Sequence, residues 1–209
     1  MQGCFPGPIP EGLNIFETMR AEADGRIPLW PLHLDRLRRG CAAVGFPLDE
    51  AQVEAALSSL PRCGALRVRL AVDAAGHVAL THAPLPPNPP VWRVTVSPLR
   101  LRCDDPWLRI KSTRRPIYDA ARAALDGADE ALLLNERGEV CEGTITNVFL
   151  PRDGILLTPP LSSGLLPGVL RRSLLQNGLA REEILCPDDF DSTFFCGNAL
   201  RGLVPAKLE

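Results

Sequence analysis

Hydrophobic and polar positions in the N-terminal part of the chain follow two periods. Alternation with a period of two, the pattern of a half-buried strand, predicts strands at residues 13–20, 27–30, 66–72 and 77–81. Apolar positions three and four apart predict a helix at 31–44, and a second helix that Asp49 caps and that runs through Leu60. This part of the chain is therefore predicted to combine a small sheet with two helices.

The C-terminal part shows the same mixture at greater length. The predicted strands lie at 91–101, 130–142, 147–157 and 193–196, the two middle ranges being hairpins with glycine-containing turns. Helices are predicted at 116–125 and at 167–177, the second with a proline in its first turn and Gly178 after its end. Hairpins interspersed with helices favour an α+β fold over a regular alternation of parallel strands and helices.

A proline-rich segment separates the two parts. Five prolines lie between Ala83 and Val91, and this density rules out a helix or a central strand there. We therefore expect three regions: a small N-terminal α+β lobe at 1–83, a linker at 84–91 and a larger C-terminal lobe at 92–209.

The composition is that of an ordinary globular protein of 209 residues, 45% hydrophobic and 23% charged, with a net charge of −2. The sequence shows no block of like charges, no apolar run of about 20 residues and no signal-peptide pattern. These features argue against nucleic-acid binding, membrane insertion and secretion. Seven cysteines without a CxxC pair indicate buried thiols in a reducing compartment. We therefore expect a soluble cytoplasmic protein without a metal site.

Lysine is rare in this chain. Of its 23 basic residues only Lys111 and Lys207 are lysines, and Lys207 is close to the C-terminus. Lys111 lies where an extended segment meets a predicted helix, close to Arg114 and Arg115, and nearby cations favour the neutral, nucleophilic form of an amine. Alternatively, an arginine-rich coding bias explains why lysine is rare, and the segment around Lys111 is an exposed basic turn.

Two further segments carry candidate chemistry. Glu142 stands between apolar stretches, beside Gly143, and a carboxylate in such a setting needs a cationic partner, for which a protonated heterocyclic nitrogen would serve. The Gly/Ser-rich stretch 162–171 runs into a helix start, where free backbone N–H groups bind anions such as phosphate. A solvent-facing glutamate and an ordinary loop are the alternatives.

Two arginines complete the set of candidates. Arg36 lies in His33-Leu-Asp-Arg-Leu37 on the polar side of a predicted helix, and Arg201 lies in a glycine-punctuated loop after the strand at 193–196. Each is also explained as solvated surface charge. Together, an amine, a carboxylate for a ring nitrogen, a phosphate cradle and spare arginines meet the requirements of pyridoxal 5′-phosphate.

These segments, in this order, resemble the fold-type IV pyridoxal-phosphate enzymes, the aminotransferase class IV family. The similarity runs from about Leu13 to Pro205 and rests on a lysine followed by Glu-Gly-x-x-x-Asn-x-Phe and Leu-Pro-Gly. It implies a two-lobed fold, shortened at both ends, with Lys111 as the catalytic lysine bonded to the cofactor. The other cofactor-binding residues that it implies are Glu142 at the ring nitrogen, Arg36, Val169, Leu170 and Asn198 at the phosphate, Tyr118 at the ring hydroxyl, and Thr146 and Asn147.

Within the family, segments 16–20, 111–118 and 197–202 resemble the lyase domains fused behind aminodeoxychorismate synthase. This resemblance implies conversion of 4-amino-4-deoxychorismate to 4-aminobenzoate and pyruvate. Arg115 and Arg201 would then contact the dicarboxylate substrate. It also implies a homodimer that functions beside that synthase. A branched-chain or D-amino-acid transaminase and a non-catalytic binding module are the alternatives.

Overall fold

The computed structural model describes residues 7–209, which form two compact units. The first comprises the chain up to Pro87 together with Ile110–Arg114, and the second comprises Asn88–Arg109 and Arg115–Glu209. The short segment joins the first unit because the Phe16 N–H donates to the Lys111 carbonyl at 3.0 Å. This segment was predicted to belong to the C-terminal lobe, and the division of the chain into lobes by a linker at 84–91 stays a prediction.

The first unit contains a three-stranded antiparallel sheet and two helices. Its elements are β1 (Ile15–Ala21), α1 (Trp30–Val44), α2 (Glu50–Ser58), β2 (Leu66–Val72) and β3 (Val78–Pro84), with the strands in the order β1-β2-β3. Asp49 caps α2 as predicted, because its carboxylate accepts the N–H groups of Ala51 and Gln52. The strand predicted at 27–30 is wrong: Leu29 adopts a left-handed φ of 59° and leads into α1 at Trp30.

Helix α1 packs against β1 at Gly40. A Cβ atom at this position would lie 2.8 Å from Cγ2 of Ile15, so only glycine permits the observed approach. Leu37 and Cys41 of α1 are buried, as is Met19 of β1. This close packing places the side chains of α1 within hydrogen-bonding reach of β1.

The second unit is built on an eight-stranded sheet in the order β6-β5-β4-β11-β10-β7-β8-β9. Its strands are β4 (Trp92–Leu101), β5 (Glu130–Asn135), β6 (Val140–Gly143), β7 (Asn147–Arg152), β8 (Ile155–Thr158), β9 (Ala180–Glu182), β10 (Phe194–Asn198) and β11 (Gly202–Leu208). Strand β6 lies at one edge and β7 in the interior, yet a three-residue loop joins them, so the sheet curls. The unit also contains helices α3 (Pro116–Ala123) and α4 (Val169–Gln176), with short 3-10 helices at Pro106–Arg109, Leu161–Ser163 and Pro187–Asp189.

Strands β9 and β11 were not predicted from the sequence. Strand β11 contains Pro205, opposite Phe195 of β10, although it lies between two other strands. Helix α4 begins at Val169 rather than at 167, because Gly168 is extended, with φ −62° and ψ 143°. The remaining predicted elements agree with the structure to within a few residues, and the α+β fold is confirmed.

Six of the seven cysteines are described, and all six are free. Cys41, Cys141 and Cys196 are buried as expected, whereas the prediction of buried thiols is wrong for Cys63 and Cys186, which are exposed. Cys4 lies outside the described residues. Within 7–209, the structure contains no helix of the length and apolar character required to cross a membrane.

Candidate functional site

Glu142 is the centre of a buried polar cluster in the second unit. This carboxylate, 4% exposed, accepts the Tyr118 hydroxyl at 2.6 Å and the Leu166 N–H at 3.0 Å on Oε1. On Oε2 it accepts the Asn147 side-chain N–H at 3.2 Å. The structure thus brings together three of the residues proposed from the sequence, carried on α3, β6 and β7.

Tyr118 is held in its protonated form by its surroundings. Burial, and then the negative charge of Glu142, raises the pKa of Tyr118 well above its ordinary value of 10.0. The phenol therefore remains a hydrogen-bond donor to Glu142. The Arg115 guanidinium lies over the Tyr118 ring, 4.6 Å from its centroid.

Arg115 is fixed on one side and available on the other. Its Nη2 donates to the Thr144 carbonyl, and its Nε lies 3.8 Å from the Asp119 carboxylate. In the described part of the chain, Nη1 of Arg115 has no hydrogen-bond partner. The side chain is 20% exposed, and its guanidinium is of the type that binds carboxylates.

The N-terminus of α4 lies next to the same cluster. Gly168 is its N-cap, no side chain caps the helix, and its first turn contains no acidic residue, so the amides of Val169 and Leu170 form an anion-binding end. A Cβ at Gly168 would clash with Oδ1 of Asn147. Asn147 also donates to the Leu166 carbonyl at 3.1 Å, which ties β7 to the segment that enters the helix.

Asn198 and Arg201 organise the turn between β10 and β11. Oδ1 of Asn198 accepts the N–H groups of Leu200 and Arg201 at 3.0 and 2.9 Å. Its Nδ2 donates to the Ile145 carbonyl at 3.1 Å. The Arg201 guanidinium donates to the Asn88 side chain at 2.8 Å. The turn is therefore tied both to the loop after Glu142 and to the linker segment.

Lys111 belongs to the first unit. The residue is half-buried, and its Nζ lies over the Phe16 ring, 4.9 Å from the centroid. The Arg69 guanidinium lies over the same ring at 3.6 Å. The backbone of Lys111 is held by Phe16, and Ser112 forms an isolated bridge with Ile15. Strand β1 thus fixes the segment that carries the amine.

Arg36 also belongs to the first unit, where Glu17 holds it. Its Nε and Nη2 donate to the two carboxylate oxygens of Glu17 at 2.8 and 2.6 Å, and His33 lies 2.7 Å from the same carboxylate. Burial by itself would raise the pKa of Glu17. The charge of Arg36, with hydrogen bonds from Arg36 and His33, outweighs it and holds the pKa at about 2.

The buried carboxylates that support these residues were not predicted from the sequence. Glu17, within β1, is 1% exposed, and Glu130, at the start of β5, is 0% exposed. Glu130 accepts the Thr146 hydroxyl at 3.0 Å, so Thr146 is directed at this carboxylate. A glutamate inside or at the start of an apolar strand was the available signal, since such a residue needs buried partners.

The second unit offers groups that fit pyridoxal phosphate. A buried carboxylate with three donors suits a protonated ring nitrogen, and the uncapped start of α4 suits a phosphate. Over residues 7–209, the structure shows no cluster of three or more His, Cys, Asp or Glu side chains that could hold a metal ion.

Comparisons with known proteins place this chain among relatives of two activities. It is 32% identical over 187 residues to a protein of Schizosaccharomyces pombe provisionally named aminodeoxychorismate lyase, covering 83% of this chain and 78% of that one. It is 31% identical over 196 residues to a provisionally named branched-chain-amino-acid aminotransferase of Methanocaldococcus jannaschii, covering 82% and 67%.

The fold has close counterparts among solved structures. A Mesorhizobium loti protein provisionally named an amino-acid aminotransferase superposes with a TM-score of 0.88 at 41% identity, covering 94% of this chain and all of that one. The family model for amino-transferase class IV matches residues 14–208. This chain therefore belongs to the class IV aminotransferases, a family of pyridoxal-phosphate-dependent lyases and aminotransferases.

Proposed function

We propose that this protein is a pyridoxal-phosphate lyase that converts 4-amino-4-deoxychorismate to 4-aminobenzoate and pyruvate. The observation that carries the proposal is the chain of contacts Arg115–Tyr118–Glu142. The Arg115 guanidinium, whose Nη1 has no described partner, lies over the Tyr118 ring, and the Tyr118 hydroxyl donates to the buried Glu142 carboxylate. Such an arrangement suits a substrate that carries carboxylates close to the cofactor ring.

In this proposal each residue has a distinct part. Bound pyridoxal phosphate supplies an electron sink for negative charge at the substrate carbon that bears nitrogen. Glu142 would hold a proton on the ring nitrogen. Tyr118, which the family resemblance places at the ring hydroxyl, keeps its own proton and donates to Glu142, which fixes the orientation of that carboxylate. The Lys111 amine removes a proton from the substrate as general base. The C–O bond to the enolpyruvyl group then breaks, which makes the substrate ring aromatic. The proton that Lys111 took up returns to the released enolpyruvate, which becomes pyruvate.

The remaining proposed residues bind and orient. Arg115 and Arg201 hold substrate carboxylates. The other proposed cofactor contacts are Arg36 and the amides of Val169 and Leu170 at the phosphate, with Thr146, Asn147 and Asn198 supporting them. Glu17 fixes the plane of the Arg36 guanidinium through two hydrogen bonds, which reduces the freedom lost on binding phosphate. The proposal includes a homodimer that functions beside aminodeoxychorismate synthase.

The decisive experiment compares two reactions of the purified protein. Enzymatically made aminodeoxychorismate is supplied and pyruvate release is followed by a coupled lactate dehydrogenase assay. In parallel, amino-group transfer from branched-chain and D-amino acids to 2-oxoglutarate is measured. We expect pyruvate release to dominate. Transfer without pyruvate release would favour the transaminase alternative, which the Methanocaldococcus jannaschii relative supports. A colourless protein that takes up no pyridoxal phosphate would favour a non-catalytic binding module.

A glycine-to-alanine change at Gly168 is expected to weaken cofactor binding. The new Cβ would clash with Asn147, displacing a donor to Glu142 and disturbing the start of α4. We expect the affinity of the apo-protein for pyridoxal phosphate to fall by about tenfold to a hundredfold. A hydrogen bond to a charged group contributes about 1.5 to 3 kcal/mol, and about 1.4 kcal/mol is a tenfold change in affinity. An absorbance titration measures it.

Gly178→Ala is the matched control for this prediction. Gly178 follows the other end of α4, and a Cβ there meets no atom within 4 Å, although its φ of 68° makes alanine strained. This variant should lose some stability while keeping its cofactor affinity. Equal affinity in Gly168→Ala and wild type would contradict the proposed role of the α4 N-terminus.

A further inference from the structure

Glu130 is a second buried carboxylate in the second unit, and its contacts are concentrated on one loop. It accepts the N–H groups of Thr144 at 2.8 Å and Ile145 at 3.2 Å, the Thr146 hydroxyl at 3.0 Å and the Thr144 hydroxyl. It also accepts the N–H of Ala131 at 3.1 Å. Residues 144–146 are therefore arranged around one fully buried anion.

This loop joins β6 to β7 and is closely fitted to the carboxylate. The Gly143 N–H donates to the Thr146 carbonyl at 2.8 Å, which closes the turn. A Cβ at Gly143 would lie 2.8 Å from the carboxyl carbon of Glu130 and would clash with Oγ1 of Thr146. Glycine is thus required where the loop passes over Glu130.

The residues that flank the loop are those of the candidate site. Glu142 immediately precedes Gly143, and Asn147, which donates to Glu142, immediately follows Thr146. The loop also holds Arg115, whose Nη2 donates to the Thr144 carbonyl. A shift of the loop would therefore move Glu142, Asn147 and Arg115 together.

We propose that Glu130 is a positioning residue, an internal anion that fixes the 144–146 loop and through it the orientation of Glu142 and Arg115. All five groups that bond to Glu130 are donors. Three of them donate to Oε1 and two to Oε2, so both carboxylate oxygens act as acceptors. Its only described ion pair is with the half-exposed Arg122, at 3.7 Å. The role proposed for Glu130 rests on the proposed function, because it concerns the residues assigned there to cofactor and substrate.

The consequence of neutralising Glu130 follows from hydrogen-bond chemistry. In Glu130→Gln, one carboxylate oxygen is replaced by an NH₂ group. This NH₂ would face an N–H or hydroxyl donor of the loop, so at least one hydrogen bond is replaced by a repulsive contact between two donors. The loop must then shift or lose a bond. Because Tyr118 donates to Glu142, the environment of the Tyr118 phenol reports whether Glu142 has moved.

Tyr118 is the only tyrosine in the chain, which makes a site-specific test possible in the apo-protein. Protein labelled with ¹³C at the tyrosine Cζ gives a single resonance that is sensitive to the hydrogen bond of the hydroxyl. We expect the Glu130→Gln resonance to move towards its position in Glu142→Gln. We also expect the affinity for pyridoxal phosphate to fall by about tenfold, as when residues that orient metal ligands are changed.

Glu139→Gln is the matched control, since it makes the same change in the same hairpin. Glu139 accepts hydrogen bonds from Arg137, Asn135 and Ser163, none of which lies in the 144–146 loop. It should leave the tyrosine resonance in place. If Glu130→Gln lowers only the melting temperature and leaves both the resonance and the cofactor affinity unchanged, the positioning role is wrong.

A milder variant covers the case in which Glu130→Gln does not fold. Thr146→Val removes one donor and keeps the charge, so it should move the resonance in the same direction by a smaller amount. An unmoved resonance in a folded Thr146→Val protein would count against the proposal. Failure of the wild-type protein to bind pyridoxal phosphate would instead contradict the proposed function, because the resonance is measured without cofactor.

Discussion

Replacing Lys111 by arginine is expected to abolish activity while leaving the fold intact. Arginine keeps a cation over the Phe16 ring, where Nζ of Lys111 now lies 4.9 Å from the centroid. The substitution also keeps the backbone hydrogen bond from the Phe16 N–H to the carbonyl of residue 111. The arginine guanidinium, however, stays protonated and supplies neither a nucleophile nor a general base. We expect the rate of pyruvate release to fall by at least about 10³-fold.

Covalent attachment of the cofactor gives a second readout that does not depend on turnover. Borohydride reduction of the wild-type holoenzyme should fix pyridoxal phosphate to the peptide that contains Lys111, as read by mass spectrometry. Lys207→Arg is the matched control, because Lys207 is the only other lysine and is exposed on β11. Labelling that persists in Lys111→Arg, or that is lost in Lys207→Arg, would contradict the assignment.

Replacing Glu17 by glutamine is expected to destabilise the protein by about 3 to 5 kcal/mol, because it leaves a buried arginine without its anion. Arg36 donates twice to Glu17, and both side chains are buried, with 8% and 1% of their surfaces exposed. His33 shares the same carboxylate through Nδ1, and its Nε2 is buried without a described partner, so the site has no spare group to replace the lost charge. Urea unfolding followed by circular dichroism measures the free energy of unfolding.

Glu50→Gln provides the comparison for this prediction in the same unit. Glu50 also binds an arginine, Arg38, through both carboxylate oxygens, but these side chains are 39% and 50% exposed. Water and salt compensate for such a pair, so the change should have little effect on stability. If the two substitutions lowered the free energy of unfolding equally, burial of the Glu17–Arg36 pair would not contribute to stability.

The dependence on acid follows from the pKa of Glu17. Since the folded state lowers it from an ordinary 4.5 to about 2, its contribution to stability is fully present above pH 4.5. The contribution is lost as the pH falls from 4.5 through about 2. The wild-type protein should therefore lose stability over this window more steeply than Glu17→Gln does.

Local chemistry was sufficient to predict much of the fold. Asp49 accepts two N–H groups at the start of α2, and period-two alternation located β2. Two local rules misled. A proline disfavours a central strand, yet β11 contains Pro205. The pairing of β11 with β4 begins only at Ala206, so Pro205 is paired with β10 alone. The stretch before Trp30 looked extended, but Leu29 adopts a left-handed conformation that starts α1.

Only the motif residues of the candidate site could be predicted from the sequence, and not the buried carboxylates that support them. The spacing of Glu142 and Asn147 in one motif was visible in the sequence, and the structure joins their side chains. Glu17 of β1 meets Arg36 only because α1 packs on that strand. Glu130 meets its partners in the loop between β6 and β7, whose conformation could not be predicted from the sequence. Spacing alone could not show that Arg36 would be bound by a buried anion.

The membership of Ile110–Arg114 in the first unit has a consequence for the order of synthesis. The ribosome makes the chain up to Pro87 first, but the unit to which it belongs includes a segment that is made only after Asn88–Arg109. Strand β1 can pair with β2 once both are made, but its hydrogen bond to Lys111 and its bridge to Ser112 form only after part of the second unit has been made. A fragment that stops at Pro87 would lack this segment, and with it the lysine.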